Sequence, residues 1–206
     1  MKNKIIVFGG TGNVGQIIVQ KLLTKGENVT ILTRTEKENK ENLNYIVGNV
    51  LNLDTVQKLI NKGDKVIIAL GFNNSSLDTM SKGTENIIKA MKAKKADRLI
   101  CLSSQGSGDS WDYMPEDFKK MVLADDILNS AFKDHSIQEE FVKKSDLSWT
   151  IVRPTEIIED IEIGTYTINK PNKTSIFKIS KYDVAQFIVN QLFLDDYLKK
   201  TVMITN

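Results

Sequence analysis

The residues with the clearest chemical purpose are the run Gly9-Gly10-Thr11-Gly12-Asn13-Val14-Gly15. A diphosphate needs bare backbone N–H groups and a helix amino terminus aimed at it, and side chains would obstruct both. The run fits two frames, Gly10-x-Gly12-x-x-Gly15 and Gly9-x-x-Gly12-x-x-Gly15. Both put Gly12 against the phosphates and Gly15 where helix meets sheet. A lone glycine pattern is a weak signal, but this one follows an apolar strand and opens a helical pattern, which is its confirming context. It is expected to be a dinucleotide site rather than a tight turn without a ligand.

Other candidates fall at the ends of later strand-like runs. The second run ends Thr33-Arg34-Thr35. An acidic residue there would hold the adenosine ribose of NAD, whereas an arginine accommodates a 2′-phosphate. Arg34 therefore favours NADP(H) over NAD(H), unless it is a solvated charge and Glu36 or Glu38 takes the ribose. At Gly48-Asn49-Val50, Asn49 would bond an adenine edge while Val50 packs on its face, or Asn49 would simply make a turn. Ala69-Leu70-Gly71 is small enough for inner ribose and phosphate to lie close. Ser103 and Ser104 end the fifth run beside the expected nicotinamide, where a hydroxyl would polarise a carbonyl or hold a substrate oxygen. Trp111 and Tyr113 follow in a loop and would stack on a planar acceptor or anchor that loop.

These positions require strands that stop at one edge of a sheet. Apolar runs at residues 4–8, 28–33, 45–47, 65–70, 98–103, 148–152 and 201–205 alternate with helical periodicity at 13–25, 52–61 and 78–95. Further helices are expected at 118–131, 134–144 and from the capping-box-like Ser180-Lys181-Tyr182-Asp183 to about residue 193. Gly26 is placed as a helix cap. Residues 165–168 and 175–178 are expected to pair as a hairpin across Pro171-Asn172-Lys173. Strands that are apolar throughout and separated by helices give a three-layer, doubly wound α/β Rossmann fold with a mainly parallel sheet. Its ligands lie beyond the carboxyl ends of the strands.

The chain has 206 residues, 41% hydrophobic and 26% charged, with a formal charge of +2. That fits one domain over residues 1–206 with a small substrate-side region from about residue 154 to 180. Near-balanced charge gives no bulk attraction to nucleic acid or membrane. One cysteine, Cys101, allows no intrachain disulfide, and one cysteine with one histidine, His135, cannot make the usual zinc sets. No signal peptide and no membrane span are expected, which suggests a cytoplasmic protein, monomeric or weakly dimeric. His135 reads as a surface or capping residue, and Lys92, Lys94 and Lys95 as a solvated helix face.

Taken together, these segments resemble the atypical short-chain dehydrogenases of the NmrA-like group, and within it the biliverdin IXβ/flavin reductase branch. The likeness covers residues 4–15, 29–34, 47–50, 69–71, 80–93, 149–154, 164–167 and the distinctive Ile179-Ser180-Lys181-Tyr182-Asp183. It implies NADPH-dependent hydride transfer to a flavin, a linear tetrapyrrole or a quinone-like planar acceptor. It also implies that Gly9, Thr11, Gly12, Asn13, Val14 and Gly15 hold the pyrophosphate and Arg34 the 2′-phosphate. Asn49 and Val50 would contact adenine, and Ala69, Leu70 and Gly71 the ribose and phosphates. Ser104 would supply the active-site hydroxyl, and Pro154, Thr155 and Glu156 would border the nicotinamide. Asn49 replaces the usual aspartate, and Glu156 replaces a histidine near the substrate, which argues against tetrapyrrole reduction.

No Tyr-x-x-x-Lys pair is present. An ordinary alcohol/ketone dehydrogenase needs that acid to protonate an alkoxide, so such chemistry and the related epimerase chemistry are disfavoured. Two functions remain: a small reductase, and a non-catalytic NADP(H) sensor acting through a protein partner.

Overall fold

 The computed structural model describes residues 3–72, 77–159, 162–169 and 178–206. Ten strands and six α-helices alternate along them. The first half runs β1 (Ile5–Phe8), α1 (Asn13–Thr24), β2 (Val29–Thr33), β3 (Leu43–Val47), α2 (Leu53–Leu59), β4 (Lys65–Ile68), α3 (Thr79–Lys94) and β5 (Arg98–Leu102). A 3-10 helix, Gly108–Tyr113, leads into α4 (Glu116–Ala124) and α5 (Asp126–Lys144). The rest is β6 (Ser148–Pro154), β7 (Glu156–Ile158), β8 (Thr167–Asn169), β9 (Lys178–Ser180), α6 (Lys181–Gln191) and β10 (Lys200–Thr205).

The main sheet has the order β3-β2-β1-β4-β5-β6-β10-β8, parallel except where β8 meets β10. It is a Rossmann fold, and the strand order reverses between β1 and β4, the switch point where ligands bind in such sheets. Strands β1 and β2 are buried at every residue because helices cover both faces. One apolar layer, including Ile17, Leu22, Ile100, Leu102 and Phe187, lies under α1 and α6. The other, including Ile87, Met91, Leu99, Cys101 and Val142, lies under α2, α3 and α5. The edge strand β3 leaves Ile46 and Val47 exposed.

Two expectations need correction. Helix α5 runs unbroken through residues 131–134, and the break falls at Asp125, whose carboxylate accepts the N–H groups of Ile127 and Leu128. Asp134 does not start a helix. It is buried and accepts the N–H groups of Met80 and Ser81, so it caps α3 from across the fold. Of the segments expected to form a hairpin, the second lies mostly outside the described residues; β8 pairs antiparallel with β10, and β9 pairs parallel with β7. Residues 170–177, including the expected turn, lie outside the described residues. Ser180 does cap α6, accepting from Tyr182 N, while Asp183 receives the N–H groups of Ile163 and Gly164.

Candidate functional site

Gly9 carries the turn out of β1 with φ +83°, and a Cβ there would stand 2.1 Å from the carbonyl oxygen of Ala69. Its own carbonyl accepts Gly12 N–H at 2.9 Å. A Cβ at Gly10 would meet only the Ile31 side chain, so the backbone constraint falls on the Gly9 frame. Gly15 lets α1 lie against the turn, since a Cβ there would stand 2.0 Å from the Gly9 oxygen. Gly12 differs from both. Its φ of −78° suits any residue, and a Cβ would meet one atom, the Gly9 oxygen at 3.2 Å. A Cβ at Gly71 would meet nothing within 4 Å. The fold alone therefore demands little at Gly12 and Gly71, and both border open space.

That space is two joined cavities. The first, about 580 Å³, is lined by Gly9, Thr11, Gly12, Thr33, Arg34, Asn49 and Val50, with Ala69, Leu70 and Gly71. Phe72 and Thr79 also reach it, and sequence reasoning missed them. Helix α1 opens onto this side with no acidic residue in its own first turn, so no side chain of that turn competes with an anion for its positive end. Arg34 has no ion-pair partner among the described residues and is exposed at the rim. Asn49 makes a turn, its Oδ1 accepting Leu51 N–H at 2.9 Å, which leaves the amide NH₂ for a ligand. These features fit a nicotinamide dinucleotide: bare glycine backbone and a helix start for the diphosphate, and a guanidinium near the second-strand end.

The second cavity, about 680 Å³, shares Gly12, Ala69, Leu70 and Gly71 with the first. Asn13, Val14, Ser103, Ser104, Pro154, Thr155 and Glu156 line it as well. The serine pair divides. Ser103 is buried and its hydroxyl donates to Glu139 at 2.7 Å. Ser104 is half-buried, and among the described residues its hydroxyl bonds only the neighbouring Gln105 carbonyl, at 3.1 Å. Thr155 donates to Thr205 at 3.2 Å, while Glu156 is exposed and 3.8 Å from Lys178. Asn13 is held from outside the turn, donating to Glu159 and accepting from Lys181, which itself pairs with Glu159.

Trp111 and Tyr113 do not line this cavity. The 3-10 helix turns Trp111 against Phe132, with ring centroids 6.2 Å apart, and leaves Tyr113 59% exposed. The aromatic wall comes from elsewhere: Met114, Phe118 and Met121, and Leu128, Phe132 and His135 along α5. Helical spacing, three apart from Phe118 to Met121 and then four and three from Leu128 to His135, was the readable signal. His135 is thus not the surface residue expected. Its Nδ1 lies 3.0 Å from Gln138 Oε1, and burial pulls its pKa below the usual histidine value against the raising effect of Gln138, Asp134 and Glu139.

Behind Ser103 sits a buried ionic network. Arg153 donates through Nε and a terminal nitrogen to Glu139, at 2.7 and 2.5 Å, and to Asp109 at 2.6 Å. Lys143 reaches Glu139 at 3.0 Å. Burial would raise the Glu139 pKa, but Arg153, Ser103 and Lys143 together hold it below the ordinary carboxylate value. Among the described residues there is no cluster of three or more metal-ligating side chains. No helix there is long and apolar enough to cross a membrane.

Residues 9–195 match the NAD(P)H-binding family, and the chain belongs to it. The photosystem II assembly factor Ycf39 of Synechocystis is 23% identical over 96% of this chain. The match spans 61% of that relative's length. Among solved structures, the anaerobillin reductase ChuY of Escherichia coli O157:H7 superposes with a TM-score of 0.81 at 17% identity, covering 98% of this chain and 97% of ChuY. A short-chain dehydrogenase/reductase of Veillonella parvula, solved in complex with NADP, gives 0.79 at 20% identity, covering 100% and 95%. At these identities the structural likeness is one of fold.

Proposed function

We propose that this protein is an NADPH-dependent reductase that passes hydride to a flavin, quinone or related planar acceptor. The observation that carries this reading is the junction of the two cavities at Gly12 and at Ala69, Leu70 and Gly71. A dinucleotide groove that opens into an apolar, aromatic-walled chamber brings a donor ring and a flat acceptor face to face. Bound NADPH supplies the hydride; the protein supplies position, dryness and polarity. Positioning within about 3–3.5 Å is itself a large share of such catalysis. Ser104 offers a hydroxyl to an acceptor oxygen, while Met114, Phe118 and Phe132 exclude water. Arg34 favours NADPH over NADH through a charged hydrogen bond to the 2′-phosphate. The ChuY and Veillonella proteins, a reductase and an NADP-bound enzyme by description, support the reading by analogy.

The experiment is a spectrophotometric screen of NADPH and NADH oxidation with riboflavin, lumiflavin and menadione. Turnover with NADPH and at least one acceptor is expected. Tight NADPH binding without turnover of any acceptor would favour the second reading, a sensor of NADP(H). That reading draws on the missing Tyr-x-x-x-Lys pair.

A further inference from the structure

The chamber that meets the dinucleotide groove has an unusual polar inventory. Among its described lining residues the one fully charged side chain is Glu156, and no lysine or arginine contributes. Glu156 is 3.8 Å from Lys178, which does not line the chamber, so an anionic ligand placed there would find no cation among the described lining residues. Phe118 and Phe132 pack edge to face with centroids 5.7 Å apart, and their wall suits a flat, uncharged ring system.

His135 adds a directional group to that wall. Gln138 donates through Nε2 to Thr84 Oγ1 at 2.9 Å, so its Oε1 faces the His135 Nδ1 as an acceptor. Nδ1 therefore carries the ring proton, and in the neutral imidazole Nε2 is left as an acceptor. Nε2 has no hydrogen-bond partner among the described residues, and His135 lines the cavity. Burial favours the neutral form. The nearby carboxylates that would favour a charged ring are engaged elsewhere: Asp134 with the start of α3, and Glu139 with Arg153.

We propose that the chamber takes an uncharged planar heterocycle bearing an imide- or lactam-type N–H, and that His135 Nε2 accepts that N–H. This rests on the reductase reading and narrows its acceptor class. Flavin nuclei without a phosphate meet the requirement through N3–H; quinones, which have no N–H, do not.

The test is binding of lumiflavin and 3-methyllumiflavin to the whole protein saturated with NADP+, followed by quenching of flavin fluorescence. The two differ only in replacement of N3–H by N–CH3. Lumiflavin is expected to bind about tenfold more tightly, the effect of one buried hydrogen bond, and riboflavin more tightly than FMN. In His135→Ala, lumiflavin affinity should fall to that of 3-methyllumiflavin, whose own affinity stays unchanged. Equal binding of the two flavins by the wild-type protein overturns the proposal, and so does no flavin binding at all. A variant that gains affinity for 3-methyllumiflavin overturns it too, since that marks a steric effect. The wild-type comparison stands even if the variant fails to fold. Lumiflavin reduced without an N–H preference sinks this inference but keeps the reductase reading; N–H preference without NADPH oxidation does the reverse.

Discussion

A Cβ placed on Gly15 would stand 2.0 Å from the carbonyl oxygen of Gly9, the same oxygen that accepts Gly12 N–H. The glycine turn is therefore closed on itself by backbone, and two of its glycines serve the fold. Gly15→Ala is expected to lower the unfolding free energy by about 2 kcal/mol or more, since neither partner can move aside cheaply. Gly12→Ala should separate the two roles. Its backbone is ordinary and its single contact is 3.2 Å, so the melting temperature should change little while NADPH affinity falls about tenfold or more. Calorimetric titration beside thermal unfolding checks both. Unchanged affinity in a folded Gly12→Ala protein would contradict the placement of the diphosphate.

Arg34 is exposed beside the groove and has no ion-pair partner among the described residues. Arg34→Ala should reduce NADPH affinity by about ten- to a hundredfold, the range of a charge-assisted hydrogen bond, and leave NADH unaffected. Equal losses for both dinucleotides would remove the 2′-phosphate from this residue.

Ser104→Ala tests the hydroxyl in the acceptor chamber. Among the described residues the hydroxyl bonds only the adjacent Gln105 carbonyl, at 3.1 Å, so stability should hold. The rate constant for acceptor reduction should drop about tenfold, as expected for one neutral hydrogen bond to a reacting group, with NADPH binding intact. A variant as fast as wild type would leave Ser104 a wall residue.

What could be read from the chain was mostly local. The glycine turn, the apolar strands and their order follow from backbone sterics and two-sided burial, and each lies within a few residues of its signal. The serine pair was half legible. A strand's period of two puts Ser103 with Leu99 and Cys101 on the α5 face, and Ser104 with Ile100 and Leu102 on the other. The Glu139 that receives Ser103 was not legible, nor was Asp134 capping a helix 53 and 54 residues away in sequence. The chamber wall escaped for the same reason. His135 and Phe132 matter because α5 docks against α3 and β6, which no local pattern records.

The buried pair Glu139 and Arg153 gives the last prediction. Burial alone would disfavour the carboxylate, but Arg153, Ser103 and Lys143 hold its pKa below the ordinary value. The unfolded chain then takes up its proton before the folded one does. Stability from this group is thus complete above the unfolded glutamate value, about 4.3, and is lost as pH falls through the lower folded value. Urea unfolding should show an acid decline below that point, and Glu139→Gln should flatten it while lowering stability at neutral pH. Arg153→Met should cost about 3–5 kcal/mol, because it strands a buried carboxylate with only Lys143 as cation. Removing both, as Arg153→Met with Glu139→Leu, should be milder than Arg153→Met alone, since no charge is left without a partner in the core. If the double variant proves the less stable of the two, the network acts through packing around Gly108 and Ser103 and not through its charges.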